Sequence, residues 1–348
     1  MTTCSMSYIF GATMPRFITA IAGSLILLFL LTGCSRSDTN DQSQSAHKPM
    51  QENAHFEIVT TTGMITDLTK QIAGERATVT GLMNSGIDPH LYQPTRSDMQ
   101  MLLGADLVFY SGLHLEGKMI DSFERVAEQT TVLAVTETLD RETLFSPPEF
   151  DGHYDPHVWM DPQSWKQAAR TIHDALIAHD PDGQSFYDAN ASKLYSDLDA
   201  LDAYAVEVLG SIPEDQRVLV TAHDAFRYFG RRYSFEVVGI QGISTESEAG
   251  VRDIERIVDL LVNRKIAAVF VETTVSERNI RALIAGADSR GQAVHIGGSL
   301  FSDAMGMQGT YEGTYIGMID HNVTVIARAL GGEAPERGMT GQLSEIEP

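Results

Sequence analysis

From residue 56 onwards the sequence alternates short β-branched runs with amphipathic segments, and this alternation occurs in two blocks. Strands that alternate with helices are typical of α/β folds, in which most strands run parallel and helices cover the sheet. We therefore predict an α/β fold of two lobes with largely parallel sheets. The expected strands are 56–62, 77–83, 106–112 and 131–137 in the first block and 217–223, 235–242, 267–273 and 292–298 in the second.

The segment between the two blocks predicts a single long helix. Pro181 and Pro213 bound a run in which apolar residues recur at intervals of three to five positions, as they do on one face of a helix. About 28 helical residues would span roughly 40 Å at 1.5 Å per residue. We therefore expect an N-terminal lobe at 56–180, one rigid linking helix at 181–213 and a C-terminal lobe at 214–348.

The shorter helices have recognisable ends. Gly74 is expected to close the helix that follows the first strand, because glycine adopts the left-handed conformation at helix ends. Ser97 or Asp98 is expected to cap the next helix. The remaining expected helices are 224–232, 248–264, 276–288 and 312–330.

The N-terminus has the pattern of a secretory signal. Residues 1–34 carry one charged side chain, Arg16, followed by an apolar stretch that ends in small residues and Cys34. A transmembrane anchor is the weaker alternative, because the stretch is short and polar residues follow at once. LTGC at 31–34 resembles a bacterial lipobox, in which the cysteine is lipidated. We expect a signal peptide at 1–33, starting at Met1 or Met14, and a polar, disordered tether at 34–55.

Composition limits the chemistry that the chain can perform. The two cysteines are Cys4 and Cys34, so the mature domain has no thiol after lipidation, and any metal site must use nitrogen and oxygen donors. The formal net charge is −22 at pH 7. This acidity argues against a nucleic-acid partner, which would require a basic surface.

Two short stretches place a histidine directly after an Asp-Pro pair, at Asp88–His90 and at Asp155–His157. The pair restricts the backbone and favours a turn, so the turn directs the histidine. His223 ends one predicted strand, and Asp303 follows another. Open α/β sheets bind ligands at the carboxyl ends of their strands, so these residues, two from each lobe, are expected to meet in the cleft between the lobes.

Three neutral imidazoles and one carboxylate would suit manganese, iron or zinc. Each of the four residues also has a simpler interpretation, because a histidine near a strand end is often only hydrogen-bonded and Asp303 could cap a turn. The other eight histidines are expected to be ordinary surface or core residues. His114 and His153 are the next candidates among them.

A set of motifs in a fixed order carries a family resemblance. The motifs are DPHLYQPTRSD, GLHLEG, DPHVWMDP, TAHDAFRYF, GISTESEAG and SLFSDAMG. They resemble those of the metal-binding lipoproteins of bacterial manganese and zinc ABC importers, the TroA-like solute-binding proteins of cluster A-I. The resemblance implies two lobes joined by one rigid helix, with a metal site formed by His90, His157, His223 and Asp303.

The same resemblance implies a function outside the cytoplasm. A protein of this kind is not an enzyme. It is expected to be a monomer, lipid-anchored to a membrane at the periplasmic or extracellular face of the cell envelope. There it would capture a divalent metal ion and deliver it to the permease and ATPase of an ABC importer.

The metal remains open between manganese and zinc, with iron as a third candidate. His223 stands where branches that resemble manganese-specific proteins often have glutamate, whereas the segment 139–154 lacks the long histidine-rich loop of zinc-specialised members. Two other functions are open alternatives. A metal-dependent hydrolase would need an open coordination position for water, and the sequence has no H-E-x-x-H motif. A surface adhesin has no support beyond surface anchoring.

Overall fold

The first block forms one parallel sheet in the computed structural model. Its strands are β1 (Phe56–Thr60), β2 (Ala77–Gly81), β3 (Leu107–Tyr110) and β4 (Thr131–Ala134). The order across the sheet is β2-β1-β3-β4, and every neighbouring pair is parallel. All four strands lie where the β-branched runs predict them.

Four helices belong to this block: α1 (Gly63–Ala73), α2 (Arg96–Gly104), α3 (Ile120–Ala127) and α4 (Pro162–His179). Gly74 closes α1 at φ +53°, as expected. The prediction that Ser97 or Asp98 caps α2 was wrong. Thr95 is the cap, and Asp98 accepts a hydrogen bond from the Thr95 backbone, which completes a capping box. α3 and α4 are not among the helices predicted from the sequence.

One long helix, α5 (Gln184–Gly210), follows the first block, and its 27 residues match the predicted length. It packs against α1 and α4 and also against the last helix of the chain. One stripe of the helix is buried, and its residues are Tyr187, Ala191, Leu194, Leu198, Leu201, Ala205 and Val208. The helix is therefore held along its length by elements from both blocks.

The second block contains strands β5 (Val218–His223), β6 (Glu236–Gln241), β7 (Ala268–Glu272) and β8 (His295–Leu300). β5 pairs with β6 and β7 pairs with β8, both in parallel, and β5 lies beside β7. β8 begins three residues later than expected. The helices are α6 (Arg227–Tyr233), α7 (Val251–Arg264), α8 (Arg278–Asp288) and α9 (Tyr315–Ala329). The fold is the expected α/β arrangement with parallel strands and one long helix.

A single hydrophobic core runs through both blocks. It includes Ile58 from the first sheet, Leu198 from α5 and Tyr315 from α9, and each of these side chains is fully buried. Two smaller clusters fill the space on the far side of each sheet. Because the largest core is shared, the two blocks cannot separate widely without exposing apolar surface.

The structure describes residues 55–150 and 152–345. The expected signal peptide at 1–33, the lipidation at Cys34 and the tether at 34–55, apart from His55, lie outside these residues. Within the described ranges, no helix is long and apolar enough to cross a membrane.

Candidate metal centre

The two Asp-Pro-His turns have the same local structure. The His90 backbone N–H donates to Oδ1 of Asp88 at 2.9 Å, and the His157 backbone N–H donates to Oδ1 of Asp155 at 3.0 Å. A carboxylate that accepts from the N–H two residues later forms an Asx turn. Each turn therefore fixes its histidine, His90 in the loop after β2 and His157 at the start of a short 3-10 turn.

The other two candidates come from the second block. His223 is the last residue of β5, and Asp303 follows β8 after a short turn. Both strands lie against β7, so their carboxyl ends share one edge of the block. All four candidate side chains are buried, with exposed fractions of 3% for His90, 0% for His157 and His223, and 1% for Asp303.

The four side chains converge on one point. The Nε2 atom of His157 lies 3.3 Å from Nε2 of His90 and 3.4 Å from Nε2 of His223. The Asp303 carboxylate lies 3.3 Å from the His157 nitrogen, 3.2 Å from that of His223 and 3.8 Å from that of His90. One potential ligand atom from each residue lies within 4.8 Å of the others.

These spacings match a small coordination shell. A tetrahedral zinc site with bonds of ~2.0–2.1 Å places neighbouring ligand atoms about 3.3 Å apart. Four of these five separations lie between 3.2 and 3.4 Å, and the fifth, between His90 and Asp303, is 3.8 Å. The donor set of three nitrogens and one oxygen suits a divalent transition ion.

Two further carboxylates orient the imidazole rings. Asp155 Oδ1 lies 2.8 Å from Nδ1 of His157, and Glu272 contacts both Nδ1 and the backbone N–H of His223. Both contacts are fully buried. A carboxylate at Nδ1 favours a proton on that nitrogen, which leaves the Nε2 lone pair free to coordinate a metal. Both Nε2 atoms point into the cluster.

Electrostatics in the cluster are strongly coupled. Burial would lower the pKa of His157, but Asp155 and Asp303 outweigh it and raise that pKa to about 9. Burial also opposes the charged form of His223, yet Asp303 and Glu272 raise its pKa well above the ordinary value. Burial, with the charges of the other two histidines, lowers the pKa of His90 to about 3. The neighbouring carboxylates therefore favour the charged form of His157 and of His223, whereas burial favours the neutral form of His90.

Among the four candidate ligands, Asp303 gives the clearest electrostatic reason for a bound cation. Its two carboxylate oxygens are buried, and neither accepts a hydrogen bond of ordinary geometry within the described part of the chain. Burial opposes its charge, but the facing histidines hold its pKa well below the usual range. A buried, ionised carboxylate without a hydrogen-bond donor is costly unless a positive charge compensates it.

Asp155 and Glu272 are not among the site residues predicted from the sequence. Asp155 lies in the motif DPHVWMDP, where the Asp-Pro pair predicts only a turn. Glu272 is buried at the end of β7, and the sequence signal for it was an acidic residue at the end of a β-branched run. Its partner is 49 residues away along the chain, so no local spacing connects the two.

His114 and His153 lie outside the cluster. Their rings stack on each other, with centroids 4.1 Å apart and an interplanar angle of 7°. Both side chains are exposed. The structure therefore separates these two histidines from the four buried residues, which provides matched controls for mutagenesis.

A family model described as "ZnuA: Zinc-uptake complex component A periplasmic" matches residues 58–329. This chain belongs to that family. The match includes all four converging residues and every strand except the first two residues of β1.

Three relatives show how closely the chain resembles characterised proteins. The manganese-binding lipoprotein MntA of Bacillus subtilis is 43% identical over 311 residues, which cover 89% of this chain and 98% of MntA. The solved structure of the periplasmic zinc-binding protein TroA from Treponema pallidum is 43% identical with a TM-score of 0.77, and the match covers 79% of this chain and 99% of TroA.

The third relative is Fe(III)-bound YtgA from Chlamydia trachomatis, a solved structure that is 28% identical with a TM-score of 0.73. That match covers 80% of this chain and 99% of YtgA. The TroA structure confirms the predicted fold class. MntA and TroA are named as binding proteins and not as enzymes, in agreement with the expectation that this chain is not an enzyme.

Proposed function

We propose that this protein is an extracytoplasmic solute-binding lipoprotein that captures a divalent transition metal ion and delivers it to an ABC permease for import. His90, His157, His223 and Asp303 bind the ion between an N-terminal lobe at 56–180 and a C-terminal lobe at 214–348. The observation that carries the proposal is the convergence of four buried donor groups, three imidazoles and one carboxylate, with ligand atoms within 4.8 Å of one another.

The donor set supports manganese or zinc as the ion, with iron as a third candidate. The relatives are named for manganese, zinc and Fe(III) binding. The close spacing of the ligand atoms favours four-coordinate zinc. Zinc also exceeds manganese in affinity at most nitrogen and oxygen sites, so affinity in vitro does not by itself identify the metal that is imported.

The geometry explains capture better than catalysis. Four protein ligands fill a tetrahedral shell, whereas a catalytic zinc keeps one position open for water. The buried cluster also excludes solvent, which strengthens the attraction between the ion and Asp303. No observation on the described residues favours a hydrolase or an adhesin.

Anchoring and partners complete the proposal. Cys34 carries the lipid that holds the protein at the periplasmic or extracellular face of a membrane, and the residues up to 55 form the tether. The protein acts as a monomer, and its partners are the permease and ATPase of the importer. The lipoprotein name of MntA and the periplasmic description of the family support this location.

The test is metal binding by single-alanine variants of the purified protein. Elemental analysis of protein purified without added metal, followed by competition between manganese and zinc, identifies the ion. Replacing any one of the four ligands by alanine should weaken binding by more than the ~10–100-fold that is typical of residues outside the coordination shell. His114→Ala and His153→Ala serve as matched controls and should bind with unchanged affinity. Equal losses in ligand and control variants would refute the assigned site.

A further inference from the structure

The four converging side chains are almost completely buried, so an ion needs a route between the cluster and solvent. Two clefts lie near the cluster in the described part of the chain. One is lined partly by Asp303, and the other contains His114, whose charge acts on His90. They are formed by different elements, so they are two candidate routes.

The first cleft lies between the start of α1, the loop 83–87 and the loop 303–314, and it is here named the α1 cleft. Its volume is about 490 Å³. The first two of its walls come from the first block and the third comes from the second block. Asp303, 1% exposed, is the one proposed ligand in its lining. The cleft therefore reaches the residue Asp303, whose two carboxylate oxygens are themselves shielded from solvent.

Several side chains in the lining of the α1 cleft carry oxygen atoms. Thr62 is the residue before α1, but its hydroxyl does not cap the helix, and this buried oxygen has no hydrogen-bond partner in the described residues. Asn84 and Gln308 contribute exposed side-chain amides. Hydroxyl, amide and carboxylate oxygens are suitable replacements for the water of a hydrated divalent ion.

On the side of His90, the segment 242–250 contacts the first block. Thr245 donates a hydrogen bond to Oδ2 of Asp88, the residue whose other oxygen accepts from the His90 backbone N–H. Glu246 lies 3.2 Å from Lys118 in an ion pair. The first of these contacts ties the second block to the turn that holds His90.

The second cleft, here named the His114 cleft, has a volume of about 390 Å³ and a different lining. It includes His114 and His153 but none of the four converging residues. The two imidazoles stack face to face, and Arg141 adds a positive charge to the lining. Each cleft therefore has a basic residue, Arg141 here and Lys70 in the α1 cleft, and the difference is that the His114 cleft reaches none of the four proposed ligands.

We infer that the metal ion enters and leaves the buried cluster through the α1 cleft, an inference that rests on the proposed metal-binding function. The carboxylate of Asp303 is the first ligand that an incoming ion meets and the last that an outgoing ion leaves. The oxygen lining of the cleft takes part in the exchange of water for protein ligands.

Cysteine labelling tests the route. The two native cysteines, Cys4 and Cys34, precede the described residues, so the parent protein treated in the same way provides the baseline. Gln308→Cys and Asn84→Cys each introduce a thiol into the α1 cleft in the full-length protein. Ile120→Cys introduces a matched thiol into the His114 cleft, where Ile120 is 39% exposed. Each variant is reacted with a bulky neutral maleimide, and zinc transfer to and from a chromophoric chelator is followed by stopped flow.

Obstruction of a route slows entry and exit by the same factor, so the dissociation constant does not change. We expect labelling at either α1-cleft position to slow both rates about tenfold, as an added barrier of ~1.4 kcal/mol would. Labelling at Ile120→Cys should leave both rates unchanged. Slowing only in the Ile120→Cys variant would overturn the inference, as would a lower equilibrium affinity without equal slowing. If the unlabelled parent binds no metal, the proposed function fails instead.

A pair of lysine variants provides an independent test by charge alone. Lys70 is the basic residue in the lining of the α1 cleft, and Lys118 lies beside the segment 242–250 on the other side. Because a positive charge at the entrance repels a divalent cation, Lys70→Met should accelerate zinc association at low ionic strength, and added salt should reduce the difference. Lys118→Met should have little effect. Acceleration in the Lys118→Met variant alone would place the entrance at the other side and overturn the inference.

Discussion

Glu272 offers a sharp test of how the site is organised, because it touches no metal in the proposed site and acts through His223. Its carboxylate accepts from the backbone N–H of His223 at 2.8 Å and contacts Nδ1 of the same residue. Glu272→Gln keeps the size of the side chain but places an NH₂ group against one of these two N–H donors. The His223 ring can then place its proton on Nε2, which is the nitrogen that faces the cluster.

We expect this substitution to weaken metal binding by about 10–100-fold, which corresponds to ~1.4–2.8 kcal/mol. Loss of an outer partner of a metal-bound histidine has that magnitude, and the pair here is fully buried on both sides. Competition with a chromophoric zinc chelator at pH 7 measures the change. Glu246→Gln is the matched control, because it alters an exposed carboxylate that contacts Lys118 and no candidate ligand.

A double variant separates positioning from general destabilisation. If Glu272 acts only through His223, then Glu272→Gln should cause no further loss of affinity when it is added to His223→Ala. An additive loss would show that Glu272 supports the fold or binds the ion by another path. Unchanged affinity in the folded single variant, within about twofold, would refute the reasoning about the His223 tautomer.

Three other predictions follow from the structure and the sequence. Zinc binding at pH 7 should release protons, because the pKa values of His157, about 9, and of His223 are both raised in the metal-free cluster; calorimetry in buffers of different ionisation enthalpy measures this, and release of no protons would contradict it. Cys34→Ser should release the protein from membranes, because the lipid provides the apolar attachment, and unchanged membrane fractionation of processed protein would exclude that anchor. Leu198→Ala, at a fully buried position of α5, should lower the free energy of unfolding by about 2–5 kcal/mol in chemical denaturation, whereas Val206→Ala, 52% exposed on the same helix, should change it little.

The sequence predicts those parts of the fold that have a strong local signal. Most of the strands carry β-branched runs, and α5 carries an apolar stripe between two prolines, so their approximate positions need no tertiary information. β8 has the sequence HIGGSL, with a single β-branched residue, and it begins three residues later than expected. α4 is missed although Asp161 and Pro162 give an ordinary start signal, because DPHVWMDP also has the pattern of a ligand motif. The prediction of the α2 cap was wrong because three common capping residues, Thr95, Ser97 and Asp98, lie close together in the sequence. In the structure Thr95 is the cap and forms the capping box with Asp98.

The site also has a part that can be predicted from local sequence and a part that cannot. His90 and His157 are recognisable because a local Asp-Pro turn directs each of them, and the backbone N–H of each contacts an aspartate only two positions earlier, Asp88 or Asp155. The contact between Glu272 and His223 depends on β5 lying beside β7. The contact between Asp88 and Thr245 joins residues 157 positions apart. Such contacts arise from tertiary packing and leave no pattern in one sequence.

The charges of the cluster bear on how an ion is loaded into the proposed site. Against the effect of burial, Asp155 and Asp303 raise the pKa of His157, and Asp303 and Glu272 raise the pKa of His223, so a divalent ion competes with protons for these imidazoles. An ion that displaces a proton replaces one positive charge beside Asp303 with another, so loading does not leave the carboxylate unpaired. A rigid α5 and a core shared by both blocks are compatible with this exchange, whereas a mechanism based on wide opening would have to expose that core.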